Sequence, residues 1–149
     1  MTNLAAFGIV AAFGRVAGSD DVKAYSGLSR RAPTLALMMM VAFLSLAGMP
    51  PFGGFVGKVF VFAAAIQQGW IWLAVVGVLN SIIGLYYYLT VLKYVYLYRM
   101  EGEDEEKHPI PLSRPYAIAL TVLTIGIILV GVLFGPWFGL ATGAAANLF

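Results

Sequence analysis

The chain has 149 residues, of which 61% are hydrophobic and 11% charged, whereas soluble proteins carry roughly 25% Asp, Glu, Lys and Arg. Too little charge is present to cover a water-exposed surface, so an ordinary soluble domain is excluded and the lipid bilayer is the expected solvent. The formal charge of +2 arises from nine cations over seven anions without a basic tract, and there is no cysteine; nucleic acid is not an expected partner, and disulfides, thiolate metal sites and Cys-ligated Fe–S clusters are excluded.

A helical crossing takes about 20 apolar residues to traverse roughly 30 Å of hydrocarbon. Leu4 to Phe13 is too short for that before Arg15 interrupts it, and no charge precedes it, as a signal peptide would require. The expectation is a truncated helix over residues 1–16, with Met1 an internal methionine of a longer protein. Pro33 to Gln68 is longer than one crossing requires, and its middle reads Gly48-Met49-Pro50-Pro51-Phe52-Gly53-Gly54. Proline lacks the amide donor and clashes with the preceding turn, while glycine favours irregular backbone. Two half-helices over 33–47 and 54–68 are therefore expected, each about 22 Å long, forming one broken transmembrane helix. Such a break persists at membrane depth only where its freed backbone groups are buried in protein or line a wet cavity. In transporters it marks the ion path.

The next helix is expected over 70–98. On it Gly77, Asn80, Ser81, Gly84 and Tyr88 recur at three- and four-residue spacing, which gathers small and polar groups on one face. That pattern reads as a packing seam, with a water-lined path as the alternative. The run Tyr86-Tyr87-Tyr88 sends phenols in three directions, at least one toward protein. A last helix over 114–139 is uncharged from 115 to 138, has hydroxyls at Thr121 and Thr124, and reads as a lipid-facing wall. The expected fold is thus all-α: a polytopic transmembrane bundle in a single membrane domain over 1–149, with one discontinuous helix. Between the last two helices, the acidic run from Glu101 to Pro109 reads as a solvated connector. Its lone His108 has no metal-ligand companions at suitable spacing, so neither a metal site nor acid–base catalysis is assigned to it. No phosphate-binding glycine loop is present, so no cofactor is expected in this chain.

Arg15, Lys23, Arg30 and Arg31 precede the broken helix, and Arg99, Lys107 and Arg114 follow the helix after it. If 33–68 and 70–98 are an antiparallel pair joined at Gln67-Gln68-Gly69, all seven lie on one side. Under the positive-inside rule, loops 17–32 and 99–113 are cytoplasmic and both termini lie on the outer side. Trp70, Trp72 and Trp137 then mark the outer boundary, and Tyr94, Tyr96 and Tyr98 the positive one.

Two cations remain. Lys93 lies 23 residues beyond Trp70, about 35 Å along a helix, and reads as an interfacial anchor. Lys58 stands nine residues before Gln67, or about 13 Å, near the bilayer midplane. A lysine at that depth faces a bundle interior or water and marks a proton or ion path by default. Burial penalises the ammonium relative to the neutral amine, so Lys58 reads as a proton carrier. The structural alternative is a salt bridge to an acid outside this chain's spans. Gly53, Gly54 and Gly57 beside it would admit water or another helix.

The segment Ser45-Leu46-Ala47-Gly48-Met49-Pro50-Pro51-Phe52-Gly53-Gly54-Phe55-Val56-Gly57-Lys58 resembles the discontinuous helix of the antiporter-like membrane subunits of respiratory complex I. Gly84-Leu85-Tyr86-Tyr87-Tyr88-Leu89 is similar to the subunit N branch of that family and its plastid counterpart. Tyr25-Ser26-Gly27-Leu28 leading to Arg31 and Pro33, and the opening Asn3-Leu4-Ala5-Ala6-Phe7, also resemble it. The first motif is shared with Mrp-type sodium/proton antiporters; the tyrosine motif is more specific.

The resemblance implies the last four helices of a subunit of about fourteen, in a bacterial inner membrane. It also implies a proton-translocating subunit of an NADH- or other donor-quinone oxidoreductase, with other membrane subunits as partners. NADH, FMN, Fe–S clusters and quinone then belong to partner subunits. Lys58 matches the family's proton-path lysine on the second broken helix; the lysines and glutamate of the first would lie upstream. No role carries over to Lys93. An Mrp-type antiporter subunit and a structural membrane scaffold are the alternatives.

Overall fold

A computed structural model describes residues 1–18, 21–99, 113–136 and 138–139. The acidic run at 101–109 with Lys107 and His108, and Trp137, lie outside the described residues. Leu, Ala and Met are strong helix formers, and the apolar runs rich in them are helical. The helices are α1 (Thr2–Ala17), α2 (Leu28–Arg31), α3 (Pro33–Ala47), α4 (Gly53–Gln67), α5 (Ile71–Tyr96) and α6 (Arg114–Val132). A single 3-10 turn, Val22–Tyr25, precedes α2, and the Asp21 carboxylate accepts the Lys23 amide at 3.1 Å at its start. No strand occurs among the described residues. Proline stands at the start of both α3 and α6, where a missing amide donor costs nothing.

Two of the helices, α5 with 26 residues and α6 with 19, are long and apolar enough to cross a membrane, and α1, α3 and α4 are shorter apolar helices. Their contacts show how the short ones stack along the long one. Ala65 of α4 lines one groove with Leu73 and Ala74 at the start of α5, Phe62 lies against Gly77, and Lys58 lines a cleft with Val78 and Ser81 farther along. Beyond these, Phe43 of α3 lies against Tyr88 with ring centroids 5.5 Å apart. Both short helices therefore run antiparallel to α5, α4 beside its first half and α3 beside its second. The turn joining α4 to α5 is closed by Gly69 at φ 80, with the Trp70 amide bonded to the Ala65 carbonyl at 2.9 Å.

The core lies where α1, α3, the far end of α5 and α6 converge. Ile9, Phe13, Leu35, Met39, Val95 and Ile127 are all fully buried there. Phe13 packs on Tyr25 at 4.2 Å between ring centroids, which ties the 3-10 turn to α1.

The sixth helix is not exposed on every side: Leu120, Thr124, Ile127 and Gly131 form a buried stripe, spaced as one helical face, while Ile118, Val122, Ile125 and Leu129 remain exposed on the outward side that lipid would cover. Thr124 bonds back to the Leu120 carbonyl at 2.8 Å, so its buried hydroxyl is satisfied within the helix. Tyr116 donates to the Gly8 carbonyl at 2.6 Å and fastens α6 to α1. Beyond Arg114 the helix is uncharged, and its two threonine hydroxyls, Thr121 and Thr124, do not make a continuous polar face that would show which side turns inward. Nor does α6 run unbroken to 139, because Leu133 leaves helical geometry at φ −101, ψ 37. Pro136 is the cause: it has no amide for the Val132 carbonyl, and its ring crowds that oxygen.

Gly131 is the tightest point of this packing, since a Cβ there would overlap the Pro51 carbonyl and Phe52. Gly131→Val is expected to destabilise the assembled protein by about 1–3 kcal/mol. The check is a lower melting temperature in purified membranes, with Gly135→Ala, which has open space around it, as the unaffected control.

Candidate functional site

A helix leaves its last four carbonyls and first four amides without intrahelical partners, and hydrocarbon offers them none. The interruption at residues 48–52 creates both sets side by side. Gly48 adopts φ 84, ψ 37, left-handed geometry that glycine enters without a Cβ clash. Its amide bonds to the Leu44 and Ser45 carbonyls at 3.1 and 3.0 Å, and the Met49 amide to Leu44 at 3.0 Å. The remaining two carbonyls are taken by a side chain from the next helix. Lys58 Nζ donates to the Leu46 carbonyl at 2.9 Å and to the Ala47 carbonyl at 3.0 Å. Every carbonyl in the last turn of α3 is thereby satisfied.

The amides of α4 are served from the opposite direction. Phe52, which caps α4, supplies no side-chain bond, and the Gly54 amide donates instead to Ser45 Oγ at 3.0 Å. Ser45 is fully buried, with Thr2 Oγ1 3.3 Å from its hydroxyl. Two glycines make the approach possible. A Cβ on Gly54 would overlap the Ser45 carbonyl, and one on Gly48 would come within 2.7 Å of Lys58 Cδ.

Lys58 is half-buried and sits against the C-terminus of α3, where aligned peptide dipoles amount to roughly half a negative charge. Its ammonium opens on a cleft of about 360 Å³ between α4, α5 and the end of α3. Of the described residues lining that cleft, Lys58 is the only charged one and Ser81 the only other polar side chain. The cleft lies beside Val78–Leu85, the middle of α5. No metal-binding group of three His, Cys, Asp or Glu side chains occurs among the described residues.

The other residues singled out from sequence are dispersed. Ser81 reaches the Lys58 cleft, but its hydroxyl is bonded to the Gly77 carbonyl at 2.9 Å. Asn80 lines a separate groove between α4 and α5 with Val61 and Phe62. Tyr88 turns to Phe43. The five helix-break residues stay together: Gly48 faces Lys58, Gly53 faces Val130 and the Ile127 carbonyl of α6, and Gly54 faces Ser45. Pro50 and Pro51, joined by a cis peptide bond, border a groove against α6. Gly57 has open space around it. Sequence reasoning passed over Ser45, whose signal was a hydroxyl one turn before the break in an otherwise apolar helix, and Thr2, whose proximity is a tertiary fact.

A family model described as NADH:quinone oxidoreductase/Mrp antiporter, TM, matches residues 1–84. NADH-quinone oxidoreductase subunit N of Heliobacterium modesticaldum is 40% identical over 149 residues, covering 100% of this chain and 31% of the relative. F(420)H(2) dehydrogenase subunit N of Methanosarcina mazei is 42% identical over 129 residues, covering 87% of this chain and 26% of the relative. Among solved structures, a chain of respiratory complex I from Thermus thermophilus, determined with bound aureothin, is similar at a TM-score of 0.66 and 32% identity. That match covers 76% of this chain and 26% of the other. The chain therefore spans 31% of the length of one of these relatives and 26% of the other two.

Lys58→Ala removes a charge from an apolar helix, so the helix is expected to insert as before, which a topology reporter in membranes will show. The Leu46 and Ala47 carbonyls lose their donors, at a cost of about 1–3 kcal/mol each. Faster amide exchange confined to residues near the break, read by mass spectrometry, is the expected consequence.

Proposed function

The chain belongs to the NADH:quinone oxidoreductase/Mrp antiporter transmembrane family, and from that premise we propose that it forms part of a proton-translocating membrane subunit of a donor-quinone oxidoreductase, with Lys58 as a proton carrier. The observation that carries this reading is the setting of Lys58. A cation stands beside the middle of a full-length span, held by two carbonyls of an interrupted helix and facing a cleft, with no acid partner among the described residues. Two carbonyls hold the ammonium without locking its proton in place.

In this reading α3 and α4 together make one interrupted crossing. Each is 15 residues, about 22 Å, too short alone, yet the two run in the same direction beside successive halves of α5. The interruption brings the negative end of α3 to mid-membrane, beside the Lys58 amine. An ammonium has three N–H donors, and two are engaged here. The third is free to pass its proton to a carrier entering the cleft. The neutral amine that remains still donates to one or both carbonyls, so the site survives the cycle and is restored by reprotonation.

Electron transfer is assigned to partner subunits. Relatives of this segment are named for an NADH-quinone oxidoreductase and for an F(420)H(2) dehydrogenase, which supports donor chemistry lying outside it. Arg15 in the last turn of α1, Lys23, Arg30 and Arg31 in the segment before α3, and Arg99 after α5 are assigned to the cytoplasmic side and Trp70 and Trp72 to the outer boundary.

The test is proton uptake by inverted vesicles during quinone reduction, in the assembled complex. Lys58→Ala and Lys58→Arg are both expected to assemble and to lower coupled pumping by about tenfold or more, because arginine keeps the charge but does not titrate in range. Normal pumping by both variants would refute the proton-carrier reading.

A further inference from the structure

We propose that Ser45 is a positioning residue for Lys58: its hydroxyl clasps the first turn of α4 and thereby sets where the ammonium lies against the Leu46 and Ala47 carbonyls. This rests on the reading of Lys58 as the proton carrier. The geometry is a closed ring. Ser45 Oγ accepts the Gly54 amide at 3.0 Å. Gly54 lies four residues before Lys58, one turn away on the same helix face. Lys58 Nζ then returns to Leu46 and Ala47, the two residues that follow Ser45 in α3. Any slippage of Gly54 away from Ser45 moves Lys58 away from its acceptors.

The clasp is rigid on both sides. Ser45 is fully buried, and Gly54 leaves no room even for a Cβ between the backbones. Thr2 Oγ1, 3.3 Å from Ser45 Oγ, gives the hydroxyl a neighbour on α1. Among the described residues lining the cleft, Lys58 is the only titratable one. Neither α3 nor the α5 wall of the cleft brings a titratable side chain to it. On α6, Arg114 and Tyr116 belong to the first turn, where Tyr116 is bonded to Gly8.

The experiment is the pH profile of coupled proton uptake in inverted vesicles bearing the assembled complex, for Ser45→Ala and Ser45→Thr, with Lys58→Ala as reference. Ser45→Ala is expected to assemble and to shift the alkaline limb of the profile, because the ammonium loses its fixed place against the two carbonyls. Ser45→Thr retains the oxygen and is expected to keep the parent profile. Should the alanine variant not accumulate, Ser45→Cys, of similar shape but a weaker acceptor, is expected to shift the profile in the same direction. An unshifted profile in Ser45→Ala, or in its cysteine substitute, while Lys58→Ala stops pumping, overturns the role of Ser45 alone. Normal pumping by Lys58→Ala overturns the Lys58 reading and this inference with it.

Discussion

A peptide group in hydrocarbon has no water to bond, and the site around residues 48–52 is organised by that constraint. The turn at 48–52 sets the carbonyl end of α3 beside the amide end of α4, and each helix satisfies groups of the other. Lys58 of α4 reaches back to two carbonyls of α3, while Ser45 of α3 reaches forward to an amide of α4. The lysine that would carry the proton is thus also part of what stabilises the interruption. An apolar residue in its place would leave two acceptors unpaired, each worth about 1–3 kcal/mol.

The same constraint accounts for the neighbouring residue types. Glycine stands wherever two backbones close on each other: Gly54 against Ser45, Gly131 against Pro51 and Phe52, Gly53 against α6. With lipid as solvent there is little hydrophobic drive between helices, so close contact of small residues supplies the packing. Hydroxyls follow a parallel rule. Ser81, Thr90, Thr121 and Thr124 each donate to a carbonyl four residues earlier, which satisfies their O–H locally. Ser45 differs because its hydroxyl serves a neighbouring helix.

Placing a helix end beside a lysine also gives the site its chemical character. A carboxylate partner would hold the ammonium in an ion pair, and moving the proton would leave an uncompensated charge behind. Carbonyl dipoles favour the cation less strongly and still accept hydrogen bonds from the neutral amine, so both protonation states have a satisfied geometry. That property suits a carrier that must be loaded and unloaded. The relatives of this chain, named for two different electron donors, show one membrane segment recurring across complexes whose names differ in donor.

The helical, membrane-embedded class was legible because it follows from composition and period: a charge deficit requires lipid, and backbone in lipid requires internal hydrogen bonds. Lys58 and the proline-glycine interruption stood out for the same reason, since each breaks a rule that lipid enforces on the residues around it. The side of α6 that faces inward was not legible, because an apolar helix without a polar face looks alike from every direction. The small-residue spacing on α5 was informative for packing: Gly77, Ser81, Gly84 and Tyr88 lie on its less exposed side, with Gly77 against Phe62 and Tyr88 against Phe43, while Asn80 is exposed beside a separate groove. Sequence by itself determined which groups had to find partners. Only the tertiary structure decided which partners they found, because the bonds from Lys58 to Leu46 and Ala47, from Gly54 to Ser45 and from Tyr116 to Gly8 depend on how separate helices are placed against one another.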